Sequence, residues 1–360
     1  MRKVGLGIVG CGVISGIYLK NIHSLFHNLN LVGVCDAFPE KAESAAKEYG
    51  CKTFPDVKAL MADETIELVL NLTRPGEHFA VSMAALAAGK HVYSEKPLGA
   101  TLEEGRKIVA EAQNQSLLVG CAPDTVLGAG IQTSRKLIDQ GEIGEALNAS
   151  AFLMLPGHEL WHPSPEFYYQ PGGGPLMDMG PYYLTALVQL LGAVESVSGM
   201  ARASFPTRTI ASGPKAGQVF PVDVDTHVGA LIRFKSGAIA SLMMSFDTQA
   251  AQLPRIEVYG ARGTLSAPDP NTFGGPVMVC PAGSKEFSEK PLEFPFPENS
   301  RGLGLSDMAD AILTGRAPRA SGEMGLHVLE VMCGILESAA SGATVKIESS
   351  LARPELMPAL

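Results

Sequence analysis

The chain opens with Val4-Gly5-Leu6-Gly7-Ile8-Val9-Gly10-Cys11-Gly12-Val13-Ile14-Ser15, and this stretch decides the fold. Its apolar part, Val4 to Val9, is typical of a strand buried in a parallel sheet. The glycines that follow predict a tight turn into a helix over residues 17–26. A strand, a glycine turn and a helix in this order indicate the first unit of a doubly wound α/β fold.

An acidic residue completes the pattern. A second apolar run, Leu31 to Cys35, ends at Asp36, roughly 20 residues beyond the glycines, which is the spacing of a dinucleotide-binding fingerprint. Gly10 permits the turn, and Gly12 lets the backbone approach a pyrophosphate. The helix start after Gly12, with Val13 and Ile14, offers N–H groups to the phosphates.

The acid also predicts which dinucleotide binds. The carboxylate of Asp36 can accept hydrogen bonds from both hydroxyls of an adenosine ribose, and its charge would repel a 2′-phosphate. We therefore expect NAD as the cofactor in preference to NADP. The third position of the fingerprint is Ser15, which is small but is neither Gly nor Ala. The alternative is a glycine-rich turn in an α/β protein that binds no ligand.

Composition excludes several other classes. The 360 residues predict two domains, and a net charge of −9 without a basic run argues against nucleic-acid binding. No apolar segment approaches the roughly 20 residues that span a membrane, and no signal peptide precedes the first strand. The six cysteines are widely separated. They indicate reduced thiols, no metal site and a cytoplasmic protein.

Residues 1–122 predict a dinucleotide-binding Rossmann domain with a doubly wound parallel sheet. Strands are expected at Leu68–Leu72, His91–Ser94 and Leu117–Cys121, and helices at Pro39–Tyr49, Val57–Met61, Phe79–Ala88 and Leu102–Gln113. Ligands of such sheets bind at the carboxyl ends of the strands. Two polar segments lie there, at residues 71–75 and 94–97.

Residues 123–360 predict a second, α+β domain with a large, open and mostly antiparallel sheet. Strands are expected at Leu147–Leu155, Val194–Ser204, Val228–Phe234, Ala238–Phe246 and Ile256–Tyr259. Helices are expected at Gly128–Gln140, Pro181–Leu191, Leu305–Leu313 and Gly325–Ala340. The segments 206–221 and 268–297 are predicted to be loops or edge strands.

Further motifs bring a family resemblance. They are Gly89-Lys90-His91-Val92, Ser94-Glu95-Lys96-Pro97, Gly141-Glu142-Ile143-Gly144, Gly172-Gly173-Gly174-Pro175-Leu176-Met177-Asp178-Met179-Gly180-Pro181-Tyr182 and Ser321-Gly322-Glu323-Met324-Gly325-Leu326-His327. Together with the opening fingerprint they resemble the Gfo/Idh/MocA family of oxidoreductases over almost the whole chain.

The resemblance implies hydride transfer between a nicotinamide and a carbinol or carbonyl carbon of a sugar or cyclic polyol. It places Lys96 next to the reacting oxygen and makes Asp178 the active-site aspartate. Cofactor contacts are implied for the segment after the third strand and for the residue before the lysine; these are Asn71, Thr73, Arg74, His78, Glu95 and Lys96. It also implies a homodimer or homotetramer formed through the second sheet.

One departure concerns the proton carrier. The family pattern after the glycines is usually D-x-G-x-H-x-x-D, and here Tyr182 holds the histidine position and Thr185 the last aspartate position. Our hypothesis is that Tyr182 is the acid/base, that Lys96 polarises the substrate oxygen and lowers the pKa of the phenol, and that Asp178 orients a hydroxyl. The alternatives are packing for Tyr182 and a helix cap for Asp178.

Other candidate substrate-binding residues are His158, Trp161 and His162 in an aromatic loop, and Asp124 after the fifth predicted strand of the first domain. If Tyr182 is not the acid/base, His162 or His158 is the next candidate. Few cations cluster here, which favours a neutral carbohydrate or cyclitol. Two other functions stay open: a non-catalytic dinucleotide or sugar sensor, and an enzyme that retains its cofactor and oxidises one sugar while reducing another.

Overall fold

The structure, a computed structural model, describes residues 2–360, and the chain divides into two compact units. The first holds the chain up to Leu127 together with Asn299–Leu329, and the second holds Gly128–Glu298 and Glu330–Leu360. The division falls close to the expected boundary at residues 122 and 123. It differs in one respect, because the segment 299–329 belongs to the first unit.

The first unit has the expected alternation of strands and helices. Its elements are β1 (Val4–Val9), α1 (Ser15–Ser24), β2 (Leu29–Cys35), α2 (Pro39–Tyr49), β3 (Lys52–Thr53), α3 (Val57–Ala62), β4 (Leu68–Asn71), α4 (His78–Ala87), β5 (His91–Ser94), α5 (Leu102–Asn114) and β6 (Val119–Cys121). Local signals set several ends: Thr101 and Glu104 form a capping box on α5, and Gly50 ends α2 in the left-handed conformation.

The six strands form one parallel sheet in the order β3-β2-β1-β4-β5-β6. β1, β4 and β5 are neighbours in register, with Val9 beside Asn71 and Asn71 beside Ser94. All three strands are buried apart from a half-buried His91, which explains their apolar character. Since parallel strands end at the same edge, the segments that follow β1, β2, β4 and β5 emerge side by side.

The second unit contains a long mixed sheet. Its elements are α6 (Ala129–Asp139), β7 (Ala146–Met154), α7 (Gly174–Leu191), β8 (Val194–Arg202), β9 (Thr207–Thr209), β10 (Val219–Pro221), β11 (His227–Phe234), β12 (Ile239–Ser245), β13 (Ile256–Gly260), β14 (Gly263–Ala267), β15 (Val277–Pro281) and β16 (Ser288–Lys290). Later in the chain come α8 (Leu303–Thr314), α9 (Gly322–Ser341) and β17 (Val345–Lys346).

This sheet has nine strands in the order β16-β15-β14-β13-β7-β12-β11-β8-β17, and only the β7–β12 pair is parallel within the described residues. α7 packs on β7, β11 and β12. The strands therefore alternate between residues buried under the helices and residues on the opposite face, as in β11. The expectation of a mostly antiparallel sheet is confirmed.

Two expectations for this half of the chain need correction. α7 begins at Gly174 and carries Pro181 in its interior, so the helix starts well before the predicted Pro181. The expected edge strands are present as β9 and β10 in the segment 206–221 and as β16 in the segment 268–297, but β15 of the latter segment is an interior strand between β14 and β16. In each case Pro and Gly, which usually mark loops, lie inside or beside elements that tertiary packing stabilises.

The segment 299–329 joins the first unit through backbone hydrogen bonds. The N–H of Cys121, at the end of β6, donates to the carbonyl of Ala320 at 3.0 Å. The amide of Asn21 on α1 donates to the carbonyls of Asn299 and Arg301. Such pairings between distant parts of the chain leave no periodic signal in the sequence, and so the sequence alone placed this segment in the second domain.

One helix meets the length and composition criteria for a membrane span. It is α9, and 56% of its apolar window is buried inside the protein. The expectation that no apolar segment approaches such a length is therefore wrong for α9. A buried core helix satisfies the same criteria, so this helix is weak evidence for a membrane.

Asp124 lies in the interior of the first unit. The residue is 1% exposed. Its Oδ2 atom accepts hydrogen bonds from the N–H groups of Gly302 at 2.8 Å and Gly304 at 3.0 Å. The carboxylate thus caps the start of α8. Burial raises the pKa of Asp124 to about 6, although the two N–H donors oppose the rise.

We predict that Asp124 makes the protein less stable as pH rises from about 4 to about 6. The ordinary pKa of an aspartate is about 3.9, so in this window the folded state holds the proton that the unfolded chain has lost. The free energy of unfolding therefore falls as pH rises through the window. Asp124→Asn keeps an acceptor oxygen but cannot ionise, so its unfolding midpoint in urea should depend less on pH.

The control is Asp223→Asn, which changes an exposed carboxyl group and should retain the parental pH dependence. Equal pH dependence in the parent and in Asp124→Asn would contradict the prediction.

Candidate active site

The glycine turn between β1 and α1 has the geometry expected of a phosphate cradle. Gly10 has φ +100°, and a Cβ there would lie 2.7 Å from the carbonyl oxygen of Leu72, so only glycine fits. A Cβ on Gly12 would meet nothing within 4 Å, which leaves open space above the turn. Ser15, at the third fingerprint position, closes the turn by donating its hydroxyl to the Gly12 carbonyl at 2.6 Å.

The carboxylate of Asp36 lies beside this turn, directly after β2. Oδ2 accepts a hydrogen bond from the N–H of Cys11 at 2.6 Å, and Oδ1 accepts one from the N–H of Phe38 at 2.8 Å. The two bonds fix the carboxylate at the edge of the sheet. Val13 and Ile14, at the start of α1, are exposed. The structure thus brings together the acid, the glycines and the helix start that the sequence predicted as one cofactor site.

The segment after β4 has a more structural role than expected. The side chains of Asn71 and His78 are fully buried. The Asn71 amide donates to the carbonyl of His78, and its oxygen accepts from the Thr73 hydroxyl at 2.6 Å. The imidazole of His78 lies 2.7 Å from the carbonyl oxygen of Pro97 and 3.0 Å from that of Thr73, and burial lowers its pKa.

The positions of the Asn71 and His78 side chains therefore do not support direct contact with a dinucleotide. Their polar atoms are used inside the protein, where they connect the turn after β4 to the segment after β5. Arg74 is exposed on the surface and Thr73 is partly exposed. For these two residues the predicted cofactor contact stays a prediction.

Lys96 follows β5 by two residues and is partly exposed at the same edge of the sheet. Glu95 anchors the backbone there: one carboxylate oxygen accepts from the N–H of Lys96 at 3.0 Å, and the other accepts from the hydroxyl of Tyr18 at 2.8 Å. Tyr18 is fully buried on α1, and burial raises its pKa well above the ordinary value, so it remains a donor. Tyr18 belongs to no sequence motif, so its role is visible only in the structure.

In the second unit, α7 carries two of the predicted catalytic residues. Asp178 and Tyr182 are four positions apart and so lie on the same face of the helix. Asp178 is in the second turn of α7, which is too far in to cap the helix start. Tyr182 is 8% exposed, which fits either a packing role or contact with a small ligand.

The aromatic loop before α7 brings His158 to Asp178. The Nε2 atom of His158 is 3.1 Å from Oδ2 of Asp178, and the indole N–H of Trp161 donates to Nδ1 of His158 at 3.2 Å. Trp161 is 59% exposed, with its ring 5.3 Å from that of His162. Nδ1 of His162 accepts from the N–H of Ser164, so this second histidine is tied to its own loop.

A buried ionic network holds this loop. Arg208 on β9 pairs with Glu159 at 2.9 Å and also with Asp247, which follows β12. Tyr169 donates its hydroxyl to Glu159, and Thr226 donates to Asp247 at 2.7 Å. No sequence motif indicates this network, because its members are far apart in the chain and its arginine lies in a segment expected to be a loop or edge strand.

Asp124, a predicted substrate-binding residue, is the helix cap described above. Its carboxylate is buried and bonded to backbone, so the geometry does not support contact with a substrate. Among residues 2–360 no group of three or more His, Cys, Asp or Glu side chains could hold a metal ion. The residues fit a dinucleotide better, because the glycine turn leaves space that a Cβ would fill and Asp36 ends the neighbouring strand.

Comparison with known proteins shows the family of both parts of the chain. Residues 4–122 match the family model described as the oxidoreductase family with an NAD-binding Rossmann fold. Residues 131–266 match the model of the GFO/IDH/MocA C-terminal domain.

Two curated relatives and one solved structure show how far the likeness extends. The 1,5-anhydro-D-fructose reductase of Ensifer adhaerens is 28% identical over 89% of this chain and 92% of its own. The trans-1,2-dihydrobenzene-1,2-diol dehydrogenase of Bos taurus is 26% identical over 83% and 84%. An NAD-binding oxidoreductase from Klebsiella pneumoniae superposes with a TM-score of 0.83 at 22% identity, covering 96% of this chain and 99% of that one.

Both halves of the chain match models of one family. The chain is an enzyme and belongs to the Gfo/Idh/MocA family of NAD-binding oxidoreductases.

Proposed function

We propose that this protein transfers a hydride between NAD and a ring carbon that bears a hydroxyl or keto group, in a neutral sugar, glycoside or cyclic polyol. One observation carries the proposal. The glycine turn, Asp36 and Lys96 follow β1, β2 and β5, which end at one edge of the same parallel sheet. Since neighbouring strands are about 4.8 Å apart, the strand that leads to Lys96 lies only about 10 Å from the one that leads to the glycine turn.

In this proposal the cofactor supplies or accepts the hydride, and side chains of the protein bind the substrate oxygen and move its proton. Lys96 presents an ammonium group that stabilises negative charge on the substrate oxygen. Tyr182 carries the hydroxyl proton, and Asp178, on the same face of α7, accepts a hydrogen bond from a neighbouring hydroxyl.

The proposed substrate class is supported by the names of two relatives and by the side chains of the aromatic loop. The reductase of Ensifer adhaerens is named for a sugar derivative, and the bovine dehydrogenase for a cyclic diol. The exposed face of Trp161 suits the C–H face of such a ring. The nearby cation Arg208 is neutralised by Glu159 and Asp247, which leaves little to attract an acidic substrate.

We predict that Lys96→Met and Tyr182→Phe each lower kcat by about 10²- to 10⁴-fold while NADH still binds, because each removes a group that acts on the reacting oxygen. Turnover is followed as nicotinamide absorbance with a panel of monosaccharides and inositols, and NADH binding by fluorescence. Lys47→Met and Tyr49→Phe are the matched controls on the surface of α2.

Near-parental turnover by Tyr182→Phe would remove Tyr182 from the chemistry. Parent protein that neither binds NADH nor turns over any compound would overturn the proposed function. Binding without turnover would favour the sensor. Purified protein that already carries NADH, and that needs a second sugar to turn over the first, would favour an enzyme with a retained cofactor.

We further propose that NAD is preferred over NADP. The support is Asp36, whose carboxylate is held at the end of β2 by two backbone N–H groups, at the fingerprint position whose acid accepts hydrogen bonds from an adenosine ribose. A 2′-phosphate would bring a second negative charge to the same place.

We predict that Asp36→Asn weakens NADH binding by about 10-fold, the loss expected for a charged hydrogen bond, and strengthens NADPH binding because a repulsion is removed. Asparagine retains an acceptor oxygen for the N–H of Cys11, so the turn should persist. Fluorescence titration with both coenzymes measures the ratio of the two dissociation constants. Glu40→Gln, which neutralises an exposed acid in the first turn of α2, is the control. An unchanged ratio in Asp36→Asn would contradict the prediction.

We also propose that two copies assemble through the uncovered face of the nine-stranded sheet. On that face Met200, Gly229, Met243 and Phe152 lie side by side across β8, β11, β12 and β7. Leu231, in the next row, is 57% exposed between Ser198 and Ser241. Apolar side chains among small residues favour a close sheet-to-sheet contact.

We predict that Leu231→Glu converts the assembly to a monomer, because it buries a charge in the contact without a partner. Light scattering coupled to size exclusion gives the mass. Leu253→Glu, an equal change at an exposed leucine outside the sheet, should not alter it. A monomeric parent, or an assembly that survives Leu231→Glu, would argue against this interface.

A further inference from the structure

The indole of Trp161 determines where the proton of His158 lies. An indole nitrogen can only donate a hydrogen bond, so Nδ1 of His158, 3.2 Å away, must be the acceptor. A neutral imidazole then carries its proton on Nε2. That nitrogen lies 3.1 Å from Oδ2 of Asp178 and donates to it. Trp161 thus donates to His158, and His158 donates to Asp178, which is the final acceptor.

The ring of His158 has little freedom to leave this arrangement. The residue is 7% exposed, and its ring lies between those of Tyr168, with centroids 4.2 Å apart, and Phe246, with centroids 4.5 Å apart. Its backbone N–H donates to the hydroxyl of Tyr169 at 3.2 Å. Tyr169 in turn donates to Glu159 of the buried ionic network.

The charged and titratable groups around His158 come from every element packed against it. They are Asp178 of α7, Glu159, His162, Tyr168 and Tyr169 of the loop, Arg208 of β9 and Asp247 after β12. Arg208 is paired with both Glu159 and Asp247, so Asp178 is the charged group that bonds to the ring. A second proton on Nδ1 would face the indole N–H, donor against donor.

We propose that His158 is a positioning residue, locked by Trp161 as the neutral Nε2–H tautomer, and that it holds Asp178 as a hydrogen-bond acceptor for a substrate hydroxyl. The role of Asp178 toward a substrate hydroxyl rests on the proposed function, whereas the tautomer of His158 does not depend on it. It follows that His158 does not carry the reaction's proton in this arrangement. Both of its nitrogens are occupied, one by an indole and one by a carboxylate.

The tautomer is tested without substrate by long-range proton–nitrogen NMR of the whole, ¹⁵N-labelled protein at neutral pH. His158→Gln assigns the signals by their disappearance. We expect an Nε2 signal of the protonated type and an Nδ1 signal of the unprotonated type. In Trp161→Phe, which keeps an aromatic ring but loses the N–H, Nδ1 no longer faces a donor, so a proton on that nitrogen is no longer opposed while Nε2 still donates to Asp178. We expect the Nδ1 signal of this variant to lie nearer the protonated type than that of the parent in the same buffer.

A proton on Nδ1 of the parent, or the same Nδ1 signal in the parent and in Trp161→Phe, would overturn the proposal. Because this measurement needs no turnover, it fails or succeeds independently of the proposed reaction.

The positioning role is tested by kinetics. His158→Gln offers an amide N–H that can reach Asp178, whereas His158→Leu offers none. We expect His158→Leu to lower kcat by roughly 10- to 100-fold, which corresponds to the loss of one hydrogen bond to a charged group, and His158→Gln to restore much of it. NADH binding should be unchanged in both, and His27→Leu, at an exposed histidine of the first unit, should behave as the parent.

Equal loss in the glutamine and leucine variants, with the fold intact by NMR, would show that the hydrogen bond to Asp178 is not what His158 contributes. A pH profile of kcat that is altered in Trp161→Phe and unaltered in Leu160→Ala, its exposed neighbour, would support the lock. Identical profiles in both variants would count against it.

Discussion

The close approach of Gly10 to the end of β4 is the constraint on which the cofactor end of this protein depends. The backbone at Gly10 passes so near the Leu72 carbonyl that no side chain can be placed there, and its positive φ turns the chain sharply into α1. This contact brings the open turn at Gly12 next to the polar segment after β4. The N–H of Leu72 also donates to the carbonyl of Val9 at 2.8 Å, which extends the pairing of the two strands to the edge itself.

Side-chain hydrogen bonds hold the backbone of the segments that follow β4 and β5. Tyr18 holds Glu95, which holds the N–H of Lys96, and His78 connects the carbonyls of Thr73 and Pro97. Tyr18 and Glu95 give each other a hydrogen-bond partner at this partly buried edge. The backbone at Lys96 is therefore held by Glu95.

In the second unit, a buried ionic network holds the loop that carries His158 and Trp161. This aromatic loop has only two short helical turns of its own, and a buried arginine between two carboxylates holds it against the sheet. Breaking such a group leaves charges buried and unpaired, typically at a cost of about 3–5 kcal/mol, so the loop is strongly restrained. That restraint is what allows the Trp161, His158 and Asp178 side chains to keep one order of donors and acceptors.

The sequence by itself determined most of the first half of the fold and predicted a cofactor site at the glycine turn. Hydrophobic runs, a glycine turn and one acid at a set spacing are local patterns, and β1, α2 and β5 lie where they were expected. It also identified Asp178, Tyr182, His158 and Trp161 as candidates, though not how they are arranged. Only the tertiary structure decided that His158 bonds to Asp178, that Asp124 and His78 are buried braces, that α7 begins at Gly174, and that residues 299–329 return to the first unit. The physical reason is common to all of these: each depends on hydrogen bonds or burial between segments far apart in the chain, and such pairings have no period or spacing for a sequence to display.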